Sequence, residues 1–202
     1  MAETFELRRY LVDIDSISSS QLFTDCLVIG TGIAGLRAAL EAAKHRNVIV
    51  VCKGSIKDSN TFKAQGGIAS AIDEADSFES HIADTLKTGC GICDEEVVDQ
   101  VVRQGPELIE QLLSWDTEFD LTEGRIAATL EGGHSYPRVA HAHGDKTGQT
   151  IAEALIKKVR QNSKIRILEN FFAIDLLTGD AEKCMGIVGR NSRGESQIIW
   201  AA

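Results

Sequence analysis

Three glycines in the run Gly30-Thr31-Gly32-Ile33-Ala34-Gly35 stand where a chain could cradle a phosphate. G-x-G-x-x-G acquires chemical meaning from its surroundings. Here an apolar run, Cys26 to Ile29, leads in, and a segment with Leu36, Ala39, Leu40 and Ala43 on one helical face follows. A second apolar run spans Val48 to Val51. Strand, glycine turn, helix and strand is a dinucleotide arrangement. Gly30 permits the tight turn, Gly32 lets the backbone approach a pyrophosphate, and Gly35 lets the helix pack closely on the strand. The free N–H groups of the helix N-terminus then face the phosphates. A glycine-rich strand-to-helix turn without a ligand is the alternative. An Asp or Glu commonly ends the second strand of such a unit to bond a ribose, and here that place holds Cys52 followed by Lys53.

A second concentration of polar chemistry lies in TLEGGHSYPRVAHAHGDKTG, which carries Glu131, His134, Ser135, Arg138, His141, His143 and Asp145 among glycines. His141-x-His143 on an extended segment points both rings to one side, but no third ligand is evident, so no metal site is expected. His81, beside the inner face of a helix, reads as a hydrogen-bonded structural residue. Cys90-Gly91-Ile92-Cys93 is formally C-x-x-C. Without a second such pair or a thioredoxin-like context, it reads as two reduced structural thiols.

These groups are set in a chain of 202 residues, 43% apolar and 25% charged, the balance of a globular protein with a sizeable core. With 30 acidic and 21 basic residues the formal charge is −9, and no Lys/Arg cluster suits a phosphate backbone, so nucleic acid is not an expected partner. No run of 18 apolar residues exists, and the charged opening MAETFELRRYLVDID lacks the apolar stretch of a signal peptide; no membrane span and a cytoplasmic location are expected. Five cysteines, an odd number without dense spacing, do not make a disulfide scaffold.

The periodicity places the elements. Residues 1–24 read as a polar arm with a Ser-rich patch, Ser16 to Ser20, and residues 25–202 as the bulk of one nucleotide-binding domain. Lys53 to Gly67 reads as a long loop of functional type. Asp76 is expected to start a helix with Phe78, Ile82, Thr85 and Leu86 inward. Asp94 caps a second carrying Val97, Val98, Val101 and Val102, and Pro106 opens a third with Leu108, Ile109, Leu112 and Leu113. After irregular chain from Phe119 to Gly144, Gly148 to Gln161 returns to helix, with Ile151, Ala154, Leu155 and Val159 on one face. Ile165 to Leu168 is expected as a third parallel strand, followed by three short antiparallel strands turning at Thr178-Gly179-Asp180 and Asn191 to Gly194. The fold class is therefore α/β: a Rossmann-like parallel sheet with helices and a small antiparallel meander. A doubly wound sheet of this kind would add at least one more parallel strand, so the chain reads as incomplete.

From about Arg8 onward the chain resembles the N-terminal part of the L-aspartate oxidases, flavoproteins of the succinate dehydrogenase and fumarate reductase group. The resemblance rests on DCLVIGTGIAGL at 25–36, NTFKAQGGIAS at 60–70, DSFESHIADTLKTGCGICDEEVV at 76–98, LEGGHS at 130–135 and HAHGDKTGQTI at 141–151. It implies that the dinucleotide is FAD, with Gly30, Thr31, Gly32, Ile33, Ala34 and Gly35 at the pyrophosphate and Lys53 reaching the cofactor in place of an acid. The loop Asn60, Thr61, Phe62, Lys63, Ala64, Gln65, Gly66 and Gly67 would lie around the flavin ring. Where succinate dehydrogenases carry the histidine that links covalently to FAD, this chain has Asn60, so noncovalent FAD is implied. Lys63 and Leu130 depart from the Tyr and Arg usual at those positions.

The resemblance also makes Glu131 the residue that orients substrate, its carboxylate meeting the α-ammonium of L-aspartate, with His134 and Ser135 lining the same cleft. The reaction implied is oxidation of L-aspartate to iminoaspartate by hydride transfer to FAD, with oxygen or fumarate as acceptor. That is the first step of de novo NAD biosynthesis, and it implies a link to quinolinate synthase. The family's substrate-clamping Arg and His residues, including the proton-relay Arg, and its capping domain match no segment of this chain; the 202 residues alone are therefore expected to be inactive and to bind FAD weakly. A soluble fumarate reductase or succinate dehydrogenase flavoprotein, and a noncatalytic FAD-binding module, are the alternatives.

Overall fold

A computed structural model of the protein describes residues 10–12, 19–179 and 183–201. In chain order the elements are β1 (Ser20–Thr24), β2 (Cys26–Ile29), α1 (Ile33–Ala42), β3 (Val48–Val51), α2 (Asn60–Lys63), β4 (Ile68–Ala69), α3 (Phe78–Thr88) and α4 (Glu95–Ser114). Then follow β5 (Leu121–Thr122), β6 (Arg125–Ile126), β7 (Ala128–Thr129), β8 (Val139–Ala140), α5 (Thr147–Gln161), β9 (Ile165–Leu168), β10 (Phe172–Thr178), β11 (Cys184–Arg190) and β12 (Ser196–Ala201). The chain divides into two compact units, residues 1–59 with 156–202, and residues 60–155.

In the first unit β2, β3 and β9 form a parallel sheet with β3 central, in register from Cys26↔Val48↔Ile165 to Ile29↔Val51↔Leu168. All four residues of β3 are buried and branched at Cβ, as a strand covered on both faces requires. Alternation along the strand decides which side each one packs on. Val48 and Val50 meet Ala39 and Ala43 from the α1 segment, while Ile49 and Val51 meet Phe171, Ile187 and Ile199. The second sheet, ordered β1-β12-β11-β10, is the expected antiparallel meander with one addition. Ser20–Thr24, expected to belong to the polar arm, is a strand lying parallel to β12, with Trp200 Nε1 donating to Gln21 Oε1 at 2.9 Å. Five residues have little periodicity to detect, and their partner is 177 positions away. Part of the Ser-rich patch and the Asp180 turn lie outside the described residues.

In the second unit α3 and α4 pack together and β4, β8 and β7 form a short antiparallel sheet. Asp94 caps α4 as expected, its Oδ1 accepting from the N–H groups of Glu96 and Val97 at 3.1 and 3.2 Å. Two expectations give way. Pro106 lies inside one continuous 20-residue helix instead of opening a third. Val102, Ile109 and Leu112 are buried on both sides of it, so the common buried stripe outweighs the missing N–H. α3 begins at Phe78, capped by Ser77, whose side chain accepts from Ser80 N–H. Its buried residue is His81, whereas Phe78, Ile82, Thr85 and Leu86 are half-buried. The loop from Lys53 to Gly67 likewise contains one helical turn, α2, because Ala64 N–H reaches back to Thr61 C=O at 3.2 Å.

Candidate functional site

The glycine turn in the first unit has the geometry of an anion cradle. Gly30 has φ +109°, open to glycine and costly for other residues, and its N–H donates to Val51 C=O at 2.8 Å, which pins the turn to the sheet. A Cβ on Gly35 would overlap the carbonyl oxygen of Gly30, so only glycine lets α1 start this close to the strand. The N-cap of α1 is Gly32, with no side-chain cap and no acidic residue in the first turn. The first N–H groups therefore face outward without a carboxylate to compete with a phosphate. Ile33 and Ala34 are exposed at this end and Thr31 is buried beneath it. At the end of β3 burial pushes the Cys52 thiol up, opposed by a hydrogen bond with Thr31, and Lys53 is exposed. The turn fits a dinucleotide, while Cys52 supplies no charged acceptor for a ribose.

The candidate ring-binding loop belongs to the second unit. Asn60 to Lys63 is helical, and Lys63, Ala64, Gln65 and Gly66 are exposed. Gly148 N–H donates to Ala64 C=O at 3.1 Å, and a Cβ on Gly148 would overlap Thr61 C=O, so the start of α5 braces the loop. Gly66 has open space where a Cβ would stand. Gly67 is different: a Cβ there would meet Ala140 O at 2.5 Å and His141 Cε1 at 3.0 Å, so this glycine lets β4 approach β8.

Glu131 follows β7 with its side chain 47% exposed. His141 Nε2 lies 2.8 Å from Glu131 Oε1, and Thr129 Oγ1 lies 3.3 Å from the same oxygen. His134 and Ser135, expected beside Glu131 in a cleft, are drawn into a separate network. Ser135 donates to Asp84 Oδ2 from its N–H at 2.7 Å and from its hydroxyl at 2.8 Å, and His134 Nδ1 sits 3.3 Å from an Arg138 nitrogen. His143 pairs with Glu118 at 3.2 Å, and Asp145 is exposed. No group of three or more His, Cys, Asp or Glu among the described residues is placed to hold a metal ion, and all five cysteines, Cys90 and Cys93 included, are free thiols.

The centre of the second network is Arg138, whose side chain has no exposure. Its Nε and one terminal nitrogen grip Asp76 at 2.8 and 2.7 Å, the other terminal nitrogen reaches Asp84 at 2.5 Å, and Ser80 Oγ accepts at 2.9 Å. Asp76 thus serves the arginine and leaves the capping of α3 to Ser77. Arg138 holds the Asp76 carboxyl below the usual carboxylate range, and the Ser135 N–H, followed by Arg138, pulls Asp84 down to about 2. His81 lies against this cluster with its ring edge-on to His134 at 5.6 Å. Its Nδ1 is buried without a hydrogen-bond partner, contrary to the expected bonded histidine. Burial, then the Arg138 charge, hold His81 in the neutral form. Sequence reasoning singled out Arg138 only as one polar residue among several and passed over Asp84. The available signal was Asp76, Ser80 and Asp84 at four-residue spacing, a polar line along one helical face.

Residues 25–201 match the FAD binding domain family. The chain is 45% identical over 164 residues to a chloroplastic L-aspartate oxidase of Arabidopsis thaliana, covering 81% of this chain and 25% of that protein. It is 44% identical over 176 residues to an L-aspartate oxidase of Streptomyces coelicolor, covering 86% of this chain and 30% of that protein. Among solved structures, the quinol fumarate reductase of E. coli superposes with a TM-score of 0.86 at 30% identity, over 90% of this chain and 32% of that one. The chain thus spans about a quarter to a third of the length of these relatives.

Proposed function

The chain belongs to the FAD binding domain family of oxidoreductases, and on that premise we propose that it is the cofactor-holding and substrate-selecting part of an L-aspartate oxidase. The observation that carries this reading is Glu131, a half-exposed carboxylate with one oxygen held by His141 and Thr129. A carboxylate so held suits the α-ammonium of an amino acid, and a dicarboxylate without an amine would leave it unpaired. Relatives named L-aspartate oxidase, at 45% and 44% identity, support the same choice.

Bound FAD supplies the ring that accepts a hydride from Cα of L-aspartate, with oxygen or fumarate as final acceptor, and iminoaspartate as the product that enters NAD biosynthesis. This chain's residues do the positioning. The uncapped N-terminus of α1, from Gly32 to Ala34, would hold the pyrophosphate, and exposed Lys53 stands where an acid would otherwise bond the ribose. Asn60 to Gly67 would hold the flavin, and because Asn60 cannot form the histidyl link the cofactor would be held without a covalent bond. Glu131 binds the substrate ammonium and so orients Cα. His134 and Ser135, locked to Arg138 and Asp84, brace the segment that carries Glu131.

The test is anaerobic bleaching of the flavin in the flavin-loaded full-length protein. L-aspartate should bleach it and succinate should not. Glu131→Gln should lower kcat/KM for L-aspartate about 10- to 100-fold, the worth of one charge-assisted hydrogen bond. Bleaching by succinate alone would reject this reading for a soluble fumarate reductase, which the likeness of fold to the quinol fumarate reductase favours.

A further inference from the structure

We propose that His141 is a positioning residue for the oxidation: it aims the Glu131 carboxylate and sets its place relative to the Gly66-Gly67 loop. This rests on the reading of Glu131 as the acceptor of the substrate ammonium.

Side-chain contact and register together gather the three groups. β7 pairs with β8 as Thr129↔Val139, so these two side chains share a face of the sheet. His141 and Glu131 each follow these two-residue strands, and in an antiparallel pair the chains run apart at that point, so it is the side chains that bring the two together. On the other side of β8, Ile68 pairs with Ala140, and the next position along brings Gly67 opposite His141. Side-chain geometry agrees. His141 Nε2 is 2.8 Å from Glu131 Oε1 and 3.0 Å from Thr129 Oγ1, and the Cε1 edge of the ring lies where a Cβ of Gly67 would come within 3.0 Å.

The contact also dictates the tautomer. Ionised Glu131 offers only acceptors, so an Nε2 lone pair 2.8 Å from Oε1 would be repelled, and the ring must carry its proton on Nε2. That N–H aims at Oε1, and the Thr129 hydroxyl stands 3.3 Å from the same oxygen and 3.3 Å from the Val139 carbonyl. Oε2 is left for an incoming cation. The His141 side chain is only 18% exposed, against 47% for Glu131, so the more buried ring supports the more exposed carboxylate. One ring therefore lies against both the segment that meets substrate and Gly67, the second of the two glycines assigned to the flavin. Orientation of a reacting carbon to a cofactor is sensitive to displacements on the order of 1 Å.

The first test needs no turnover. In the full-length protein, nitrogen NMR should find His141 with hydrogen on Nε2; hydrogen on Nδ1 alone would overturn the inference. The second uses the flavin-loaded full-length protein. His141→Leu should raise KM for L-aspartate about tenfold while leaving KM for fumarate, which has no ammonium, unchanged. His141→Gln, which returns an N–H donor at similar reach, should recover most of the loss. In a Glu131→Gln background His141→Leu should add nothing further, because the carboxylate it aims is gone. Equal losses for both substrates, or a further loss in that background, would overturn the inference and leave His141 a structural residue. If Glu131→Gln itself leaves KM for L-aspartate unchanged, the reading of Glu131 fails; if it raises KM while His141→Leu does not, only the positioning role fails.

Discussion

Arg138 is the largest fully buried side chain among the described residues, and it is an ion whose two carboxylate partners, Asp76 and Asp84, come from the α3 region. Burying such a group is tolerated only because nearly every donor is matched. Arg138→Met would leave two carboxylates facing each other without a cation and should cost about 3–5 kcal/mol of stability, measured by urea unfolding at neutral pH. The pH dependence has two parts of the same sign. Asp76 and Asp84 have lowered folded values, so their contribution is complete above about pH 4 and is lost as pH falls below it, for Asp84 toward about 2. His81 is also lowered, from 6.5, so below about pH 6.5 the unfolded chain takes up a proton that the folded chain refuses. Stability should therefore decline on acidification from about pH 6.5, with a slope of at most about 1.4 kcal/mol per pH unit, and His81→Gln should flatten that segment of the curve.

At the scale of elements, α1 shows how a single hydrogen in place of a methyl group sets the cofactor turn. Gly35→Ala would drive a methyl into the carbonyl oxygen of Gly30, and neither backbone has a flexible end that can yield. The helix must withdraw from the strand, at about 1–3 kcal/mol, and its N–H groups withdraw from the pyrophosphate with it. The expected outcome is a lower thermal midpoint together with loss of flavin absorbance from the purified protein; retained flavin at wild-type stoichiometry would contradict it. α4 makes the opposite point. Pro106 looks like a helix start in isolation, yet the helix runs through it because Val102, Ile109 and Leu112 need the same buried side. α3 owes its position less to an apolar stripe than to Asp84 and the neighbouring Asp76, both tied to Arg138.

At the scale of the whole molecule, no helix among the described residues is long and apolar enough to cross a membrane. The −9 charge resides in a chain whose matched family holds FAD. By itself the sequence determined what local periodicity and steric need can encode. The glycine turn with its flanking strands and helix, the buried β3, the third parallel strand and the meander follow from residues at most a few positions apart. The role proposed for Glu131 rests on a resemblance to a motif. Only the tertiary structure decided the partners. Arg138 meets carboxylates 62 and 54 positions earlier in the chain, β1 finds β12 at a separation of 177, and Gly67 faces His141 across a sheet of two-residue strands. No local pattern reports such pairings, since they are fixed when distant segments bury their surfaces together, and a buried charge or close backbone approach reveals its reason only once the other side is in place.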